Sequence, residues 1–199
     1  MTGNSEADLV TLRLWLLLHR GRDLLMRCED QIFGQYGLTM EHYSVLAIMK
    51  LFDKPMRPTD LARWLERSPN SVSMLVDRMV KVGLVRRVRD KTDRRVVHVL
   101  ITSKGEESLK PATLEGVKFI REIMSPLSQK DQSTLINLLE LIKYKALEHL
   151  NPGISIEEMR ENDITTHPEL VKRLCRYISS SAPEEKSKRQ DRKKGKTTK

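Results

Sequence analysis

The stretch from Arg57 to Thr102, RPTDLARWLERSPNSVSMLVDRMVKVGLVRRVRDKTDRRVVHVLIT, constrains this chain more than any other segment: it reads as two short helices followed by a charged β-hairpin. Thr59 is placed to cap the first helix. In that helix Leu61, Ala62 and Leu65 return to one face, and Asp60 sits in the first turn, where the helix dipole favours an anion. Ser68 and Pro69 break it. Proline disfavours α geometry at the residue before it yet suits the first position of a new helix, so a second helix is expected from Pro69 to about Val82, ended by Gly83. Val72, Leu75, Val76 and Met79 form its buried stripe, which leaves Asn70, Ser71, Ser73, Met74, Asp77 and Lys81 outward. Small polar side chains near the N-terminus of an outward face, with Ser68 beside them, suit a helix entering the DNA major groove, where base edges present distinct hydrogen-bond patterns. A plain surface helix would carry the same residues.

The hairpin narrows the choice. Leu84 to Arg89 and Val96 to Ile101 are rich in strand formers, and the loop between them is Asp90-Lys91-Thr92-Asp93-Arg94-Arg95. Two helices and a basic hairpin make a winged helix-turn-helix. Arginine at the tip of such a wing can enter a narrow minor groove, where the negative potential is enhanced. Asp93 is placed to fix a nearby guanidinium, Arg78 being the nearest in pattern. The loop taken alone reads equally well as a solvated turn.

Charge distribution is an independent check. Residues 56–95 carry 11 Lys and Arg against 5 Asp and Glu, a net +6, and residues 184–199 carry 8 against 3, a net +5; the other 143 residues sum to −2, within a total of +9. Phosphate neutralisation drives non-specific DNA affinity and makes it fall steeply with salt, so two basic patches predict strongly salt-dependent binding. Basic tails also serve only to keep chains soluble.

The ordered residues Leu75-Val76-Asp77-Arg78-Met79-Val80, the Gly83-Leu84-Val85 stop, Asp93-x-Arg95 and Leu100-Ile101-Thr102-Ser103-Lys104-Gly105 resemble the multiple antibiotic resistance regulator (MarR) family. The resemblance is close over about residues 55–105 and extends by helix order alone over roughly 8–150. It implies a homodimeric transcription factor, usually a repressor, that binds a double-stranded palindromic operator and whose DNA affinity is changed by small lipophilic or phenolic effectors, oxidants or metals. By the same resemblance Asp93 orients the wing, Arg95 enters the minor groove, and Asn70, Ser71, Ser73 and Met74 occupy the recognition-helix positions. Met74 departs from the family pattern, since it offers only an apolar contact, such as with a thymine methyl. The DNA-binding set expected from residues and resemblance together is Ser68, Asn70, Ser71, Ser73, Met74, Arg78, Asp93, Arg94 and Arg95.

The fold class expected is mainly α with a small antiparallel hairpin: a winged helix-turn-helix over 35–102, an N-terminal dimerisation helix over 1–34 and C-terminal dimerisation helices over 103–150. In the first helix Leu14, Leu18, Gly21, Leu25, Cys28 and Ile32 recur at alternating four- and three-residue steps, a coiled-coil-like stripe that Trp15, Leu16 and Leu17 broaden. Glu41 to Phe52 reads as a short helix capped by Thr39. Ser103 and Glu106 fit a capping box opening a helix that Pro111 kinks and Ser125-Pro126 stops. Ser128 and Asp131 open another, with Leu135, Leu138, Leu139, Ile142 and Ala146 on one side, before Asn151-Pro152-Gly153 ends it. Helices bearing such stripes associate, and a dimer would set two recognition helices about one DNA turn apart.

Residues 151–180 exceed the usual family length and hold two expected helices, Ser155 to Glu161 and Pro168 to Tyr177, open to readings as a cover for the dimer helices, a lid, a protein-binding element or, most simply, packing on the core. From 181 onward the composition predicts a disordered basic tail. Family effector sites lie between the dimer helices and the winged module, which singles out Trp15, His19, Met26 and Tyr43, although such residues more often build core. Cys28 sits late in its helix with no flanking lysine, so a buried structural thiol is expected rather than a redox switch. The two cysteines stand 147 positions apart, and His19, His42, His98, His149 and His167 show no short ligand spacing, so neither metal nor other cofactor is expected. The polar, acidic start from Met1 to Asp8 and the lack of a long apolar run predict a cytoplasmic protein with no membrane partner. No nucleophile elbow, zinc-protease helix, P-loop or dinucleotide fingerprint is present, which speaks against an enzyme. The rival reading is a winged-helix protein-interaction module without specific DNA binding.

Overall fold

Residues 6–153 and 155–181 are described by the computed structural model, in the order α1 (Glu6–Gly34), α2 (Met40–Phe52), α3 (Pro58–Trp64), α4 (Pro69–Lys81), β1 (Val85–Arg89), β2 (Val97–Ile101), α5 (Ser103–Met124), α6 (Gln129–Leu150) and α7 (Ile156–Ser181). The expected disordered tail begins later than the sequence suggests, since Ser179 to Ser181 continue α7; the rest of it lies outside the described residues.

The core sits within the winged module. The predicted stripe of α4 is buried in full: Val72, Leu75, Val76 and Met79 meet Val45, Leu46 and Met49 of α2, Leu61 and Ala62 of α3, and Leu109 and Ala112 of α5. The hairpin pairs antiparallel with Val85 opposite Ile101 and Arg89 opposite Val97, and its inward Val85 and Val99 close the same core. Met56 adds a short third rung, exchanging backbone hydrogen bonds with Val99 at 3.3 and 2.8 Å.

The joint between α4 and the wing is tight. Gly83 takes a positive φ of 78° to end α4. Thr102, at the far end of β2, donates its hydroxyl to Gly83 O at 2.6 Å and caps α5 by accepting from Gly105 N. A Cβ on Gly105 would lie 2.3 Å from Leu84 O, so only glycine fits there. The family-like Leu100-Ile101-Thr102-Ser103-Lys104-Gly105 run is therefore a structural weld between the hairpin, α4 and α5.

Several boundaries differ from the sequence reading. Thr59 does not cap α3; the cap is Arg57, two residues earlier, and the helix opens on Pro58, whose missing N–H needs no partner, while Asp60 accepts from Arg57 N at 3.2 Å. α3 ends at Trp64, not at Ser68-Pro69, because Glu66 turns into left-handed backbone with φ 50°. Thr102 rather than Ser103 caps α5, and Glu106 instead pairs with Lys50 at 2.9 Å. The two helices expected in the extension are one, α7, with Pro168 inside it; both halves are held against other elements, which offsets proline's lost hydrogen bond. The Thr39 cap of α2 and the Ser128–Asp131 capping box of α6 stand as expected. Cys28 is exposed rather than buried.

Much apolar surface stays outside the core. On α1 Leu14, Trp15, Leu16 and Leu17 are exposed, on α5 Ile120 and Ile123, and on α6 Leu135, Leu138, Leu139 and Ile142. Exposed large apolar side chains are thus concentrated on three helices rather than scattered singly over the surface. No described helix is long and apolar enough to cross a membrane.

Candidate nucleic-acid interface

The start of α4 is built by local rules. Ser68 takes extended backbone, its Oγ accepts from Ser71 N at 3.2 Å, and Pro69 occupies the first turn. The Ser68 and Ser71 hydroxyls lie 2.7 Å apart, so the pair is preordered before any ligand arrives. Asn70, Ser71 and Met74 are exposed, Met74 by 60% of its surface, which is unusual for methionine beside a complete core. Ser73 is half-buried, with the Arg87 guanidinium 3.4 Å from both its backbone oxygen and its hydroxyl. Replacing Ser68 by alanine is expected to lower stability by about 1 kcal/mol in urea unfolding, since a lost N-cap leaves the Ser71 amide unpaired.

The wing is fastened to this helix. Arg87 of β1 reaches Asp77 of α4 at 2.9 Å, so α4 and the hairpin turn as one body. At the tip, Asp90 is the organiser. Its Oδ1 accepts from Thr92 N at 2.8 Å and Asp93 N at 3.1 Å, and its Oδ2 lies 3.2 Å from His98 Nε2. The Thr92 hydroxyl, then the Asp93 and Thr92 amides, hold the Asp90 carboxyl far below the ordinary carboxylate range. Asp93 accepts from Arg95 N at 3.0 Å, setting the backbone from which that arginine projects. Arg94 and Arg95 are exposed, and neither makes an ion pair with another described residue.

The expected pairing of Asp93 with Arg78 does not form. Arg78 points instead toward Glu41 at 3.5 Å, and Glu41 also binds Arg67, whose hydrogen bond is the largest influence lowering the Glu41 carboxyl. Asp93 is held away because its carboxylate is used within the wing turn. Sequence reading missed Asp90, Arg87 and Glu41. An aspartate two residues before threonine is an Asx-turn signal and was available for Asp90; the other two act across 10 to 37 positions, where no local pattern reports.

A cavity of about 370 Å³ lies between α1 and the winged module, lined by Arg22, Leu25, Met26, Glu29, Met40, Glu41, Ser44, Leu65, Arg67 and Leu75. Of the four residues singled out from sequence, only Met26 lines it. Trp15 and His19 meet edge to face at 4.5 Å on the exposed part of α1, and Tyr43 stacks on Phe33 at 4.1 Å. Burial, and after it the Asp30 charge, raise the pKa of the Glu29 carboxyl, which lines the cavity together with the Arg67 guanidinium. Among the described residues no group of three potential metal ligands comes together.

Comparison with known proteins agrees with this geometry. The MarR family model matches residues 36–96. The HTH-type transcriptional regulator MgrA of Staphylococcus aureus is 31% identical over 112 residues, covering 56% of this chain and 74% of MgrA. The organohalide-sensing regulator RdhR-CbdbA1625 in its 2,4-dichlorophenol-bound form superimposes with a TM-score of 0.68 at 19% identity, covering 77% of this chain and 92% of that one. A mutant MarR of Escherichia coli complexed with operator DNA does so with a TM-score of 0.62 at 22% identity, covering 69% and 99%. At these identities the two structures establish the fold.

Proposed function

The chain belongs to the MarR family of transcriptional regulators, and from that premise we propose that it is a sequence-specific DNA-binding repressor that acts as a homodimer on a palindromic operator. The observation that carries this reading is the wing: Arg94 and Arg95 are exposed cations without an ion pair among the described residues, on a tip ordered by Asp90 and Asp93 and a hairpin tied to α4 through Arg87 and Asp77. A protein-interaction module has no need of that arrangement beside a polar helix face. Ser68, Asn70, Ser71, Ser73 and Met74 are proposed to meet the major groove, with the hydroxyls and the amide reading base edges and Met74 touching a thymine methyl. Arg95 is proposed to enter the minor groove with Arg94 beside it, and Arg78, paired loosely with Glu41, to meet a phosphate. The proposed place of the protein is the cytoplasm, with its DNA.

Dimerisation is supported by the exposed apolar residues of α1, α5 and α6, which a second copy would cover; residues 1–34 and 103–150 would form that interface and 35–102 the reading head. The cavity beneath α1 suits a small lipophilic or phenolic effector: its wall carries Leu25, Met26 and Leu75, with Arg67 available to an anionic oxygen. The solved relative bound to 2,4-dichlorophenol supports that chemical class.

Selection of bound duplexes from a random pool tests this reading. The expected product is a two-fold symmetric site with half-site centres about 10 base pairs apart or a multiple of that; enrichment of no motif would instead favour the protein-interaction module. Ending the chain at Ser181 removes the basic stretch 184–199, with its 8 Lys and Arg. That truncation is expected to weaken binding by roughly three- to ten-fold on every duplex alike and to flatten the salt dependence, because phosphates and not bases attract such a segment. Loss of sequence preference on truncation would contradict it.

A further inference from the structure

The extension beyond the family-like body is tied to the turn of the helix-turn-helix. Lys143 of α6 lies 2.8 Å from Asp163 of α7 and 3.1 Å from Glu66, the residue in left-handed backbone that makes the turn between α3 and α4. Tyr144, the buried residue of α6, donates to the same Asp163 oxygen at 2.9 Å, and the Arg160 guanidinium lies 4.9 Å over its ring. Farther along, Arg173 donates to Leu51 O at 3.0 Å at the end of α2, and Tyr177 packs against the core of the winged module. One helix therefore grips both α6 and the reading head.

The place of attachment matters. Glu66 is held from outside by Lys143, and the next residue, Arg67, is held from inside by Glu41. The residue after that, Ser68, is the cap from which α4 begins. A shift of the turn therefore passes directly to the start of the helix proposed to read DNA. Burial pulls the Lys143 ammonium down, but the bonds from Asp163 and Glu66 outweigh it and leave its pKa raised, so the bridge stays charged. Lys143 and Asp163 are only 26% and 21% exposed, which places this bridge among partly shielded pairs rather than freely solvated ones.

We propose that α7 is a positioning strap, in which Asp163 holds Lys143 against Glu66 and thereby fixes the angle at which each recognition helix projects from the dimer helices. This rests on the dimeric operator-binding reading above. Asp163 and Lys143 are positioning residues that act through the turn, not through DNA contact. The consequence is geometric: the strap governs which half-site spacing is accepted, more than how strongly phosphates are bound.

The test uses the full-length protein and duplexes in which the same two half-sites are moved apart in single base-pair steps. The wild type is expected to show a narrow optimum. In Asp163→Ala and in Glu66→Gln the ratio of best to worst spacing should fall by about ten-fold, as expected when one partly shielded ion pair per protomer is lost, with binding to unrelated DNA unchanged and, in Glu66→Gln, only a small loss of thermal stability. Glu66 is half exposed, so Glu66→Gln keeps the fold even if Asp163→Ala does not. A wild-type profile retained in both variants would overturn the strap, and so would a change in Asp163→Ala alone, since the effect would then bypass the turn. A wild type without any spacing optimum would overturn the operator reading as well.

Discussion

Arg95→Ala is expected to weaken operator binding by about 1 to 3 kcal/mol, roughly 5- to 150-fold, while leaving dimerisation and folding intact. The side chain is exposed and makes no ion pair with a described residue, so its removal takes nothing from the protomer's own structure. What remains is its backbone amide, held by Asp93 at 3.0 Å, so the wing keeps its shape in the variant. The loss should fall mainly on the specific duplex: a minor-groove arginine depends on groove width and hence on sequence, whereas a phosphate contact does not. Titration of labelled operator and scrambled duplex side by side checks this, and equal affinity of variant and wild type for the operator would contradict the wing's assignment.

Leu139→Glu should have the larger effect. Leu139 is 43% exposed on α6, within the apolar face proposed to meet a second copy. In a lone protomer the new carboxylate stays in water, so the fold should persist. In a dimer it would be buried twice without a partner, at a cost of several kcal/mol for each buried charge. Sedimentation should therefore show a folded monomer. Operator affinity should fall by more than about 100-fold, because two linked half-site contacts become two independent ones. A variant that remains dimeric at micromolar concentration would move the interface away from this face of α6.

Most of the reading head was legible because its signals are local. The i, i+3, i+4, i+7 stripe of α4 is buried residue for residue, and the Pro69 start, the Gly83 stop and both strands fall, to within a residue, where composition and spacing put them. Errors arose where two local signals compete. Thr59 and Pro58 can both open α3, and the proline prevails because its φ is already helical; Ser103 and Thr102 can both cap α5, and Thr102 prevails because its hydroxyl also reaches Gly83 O. Pro168 was read as a boundary, yet contacts with α2 and α5 on one side and α6 on the other carry α7 through it. Pairings distant in sequence left no trace in the pattern. Arg78 with Glu41, Arg87 with Asp77 and Lys143 with Glu66 are ordinary charges on helix and strand surfaces until the fold brings them together. The cavity residues illustrate the same limit, since Trp15 and His19 share a helix face with Met26 by spacing but lie beyond the reach of the winged module.

The central claim, that this protein reads DNA sequence, is tested most directly by equilibrium binding to a duplex from the region upstream of its own gene, beside a scrambled duplex of equal length, at low and near-physiological salt. The account expects a preference for the upstream duplex that persists as salt rises, while binding to the scrambled duplex collapses. Equal and equally salt-sensitive binding to both, repeated with the duplexes enriched by selection, would contradict it.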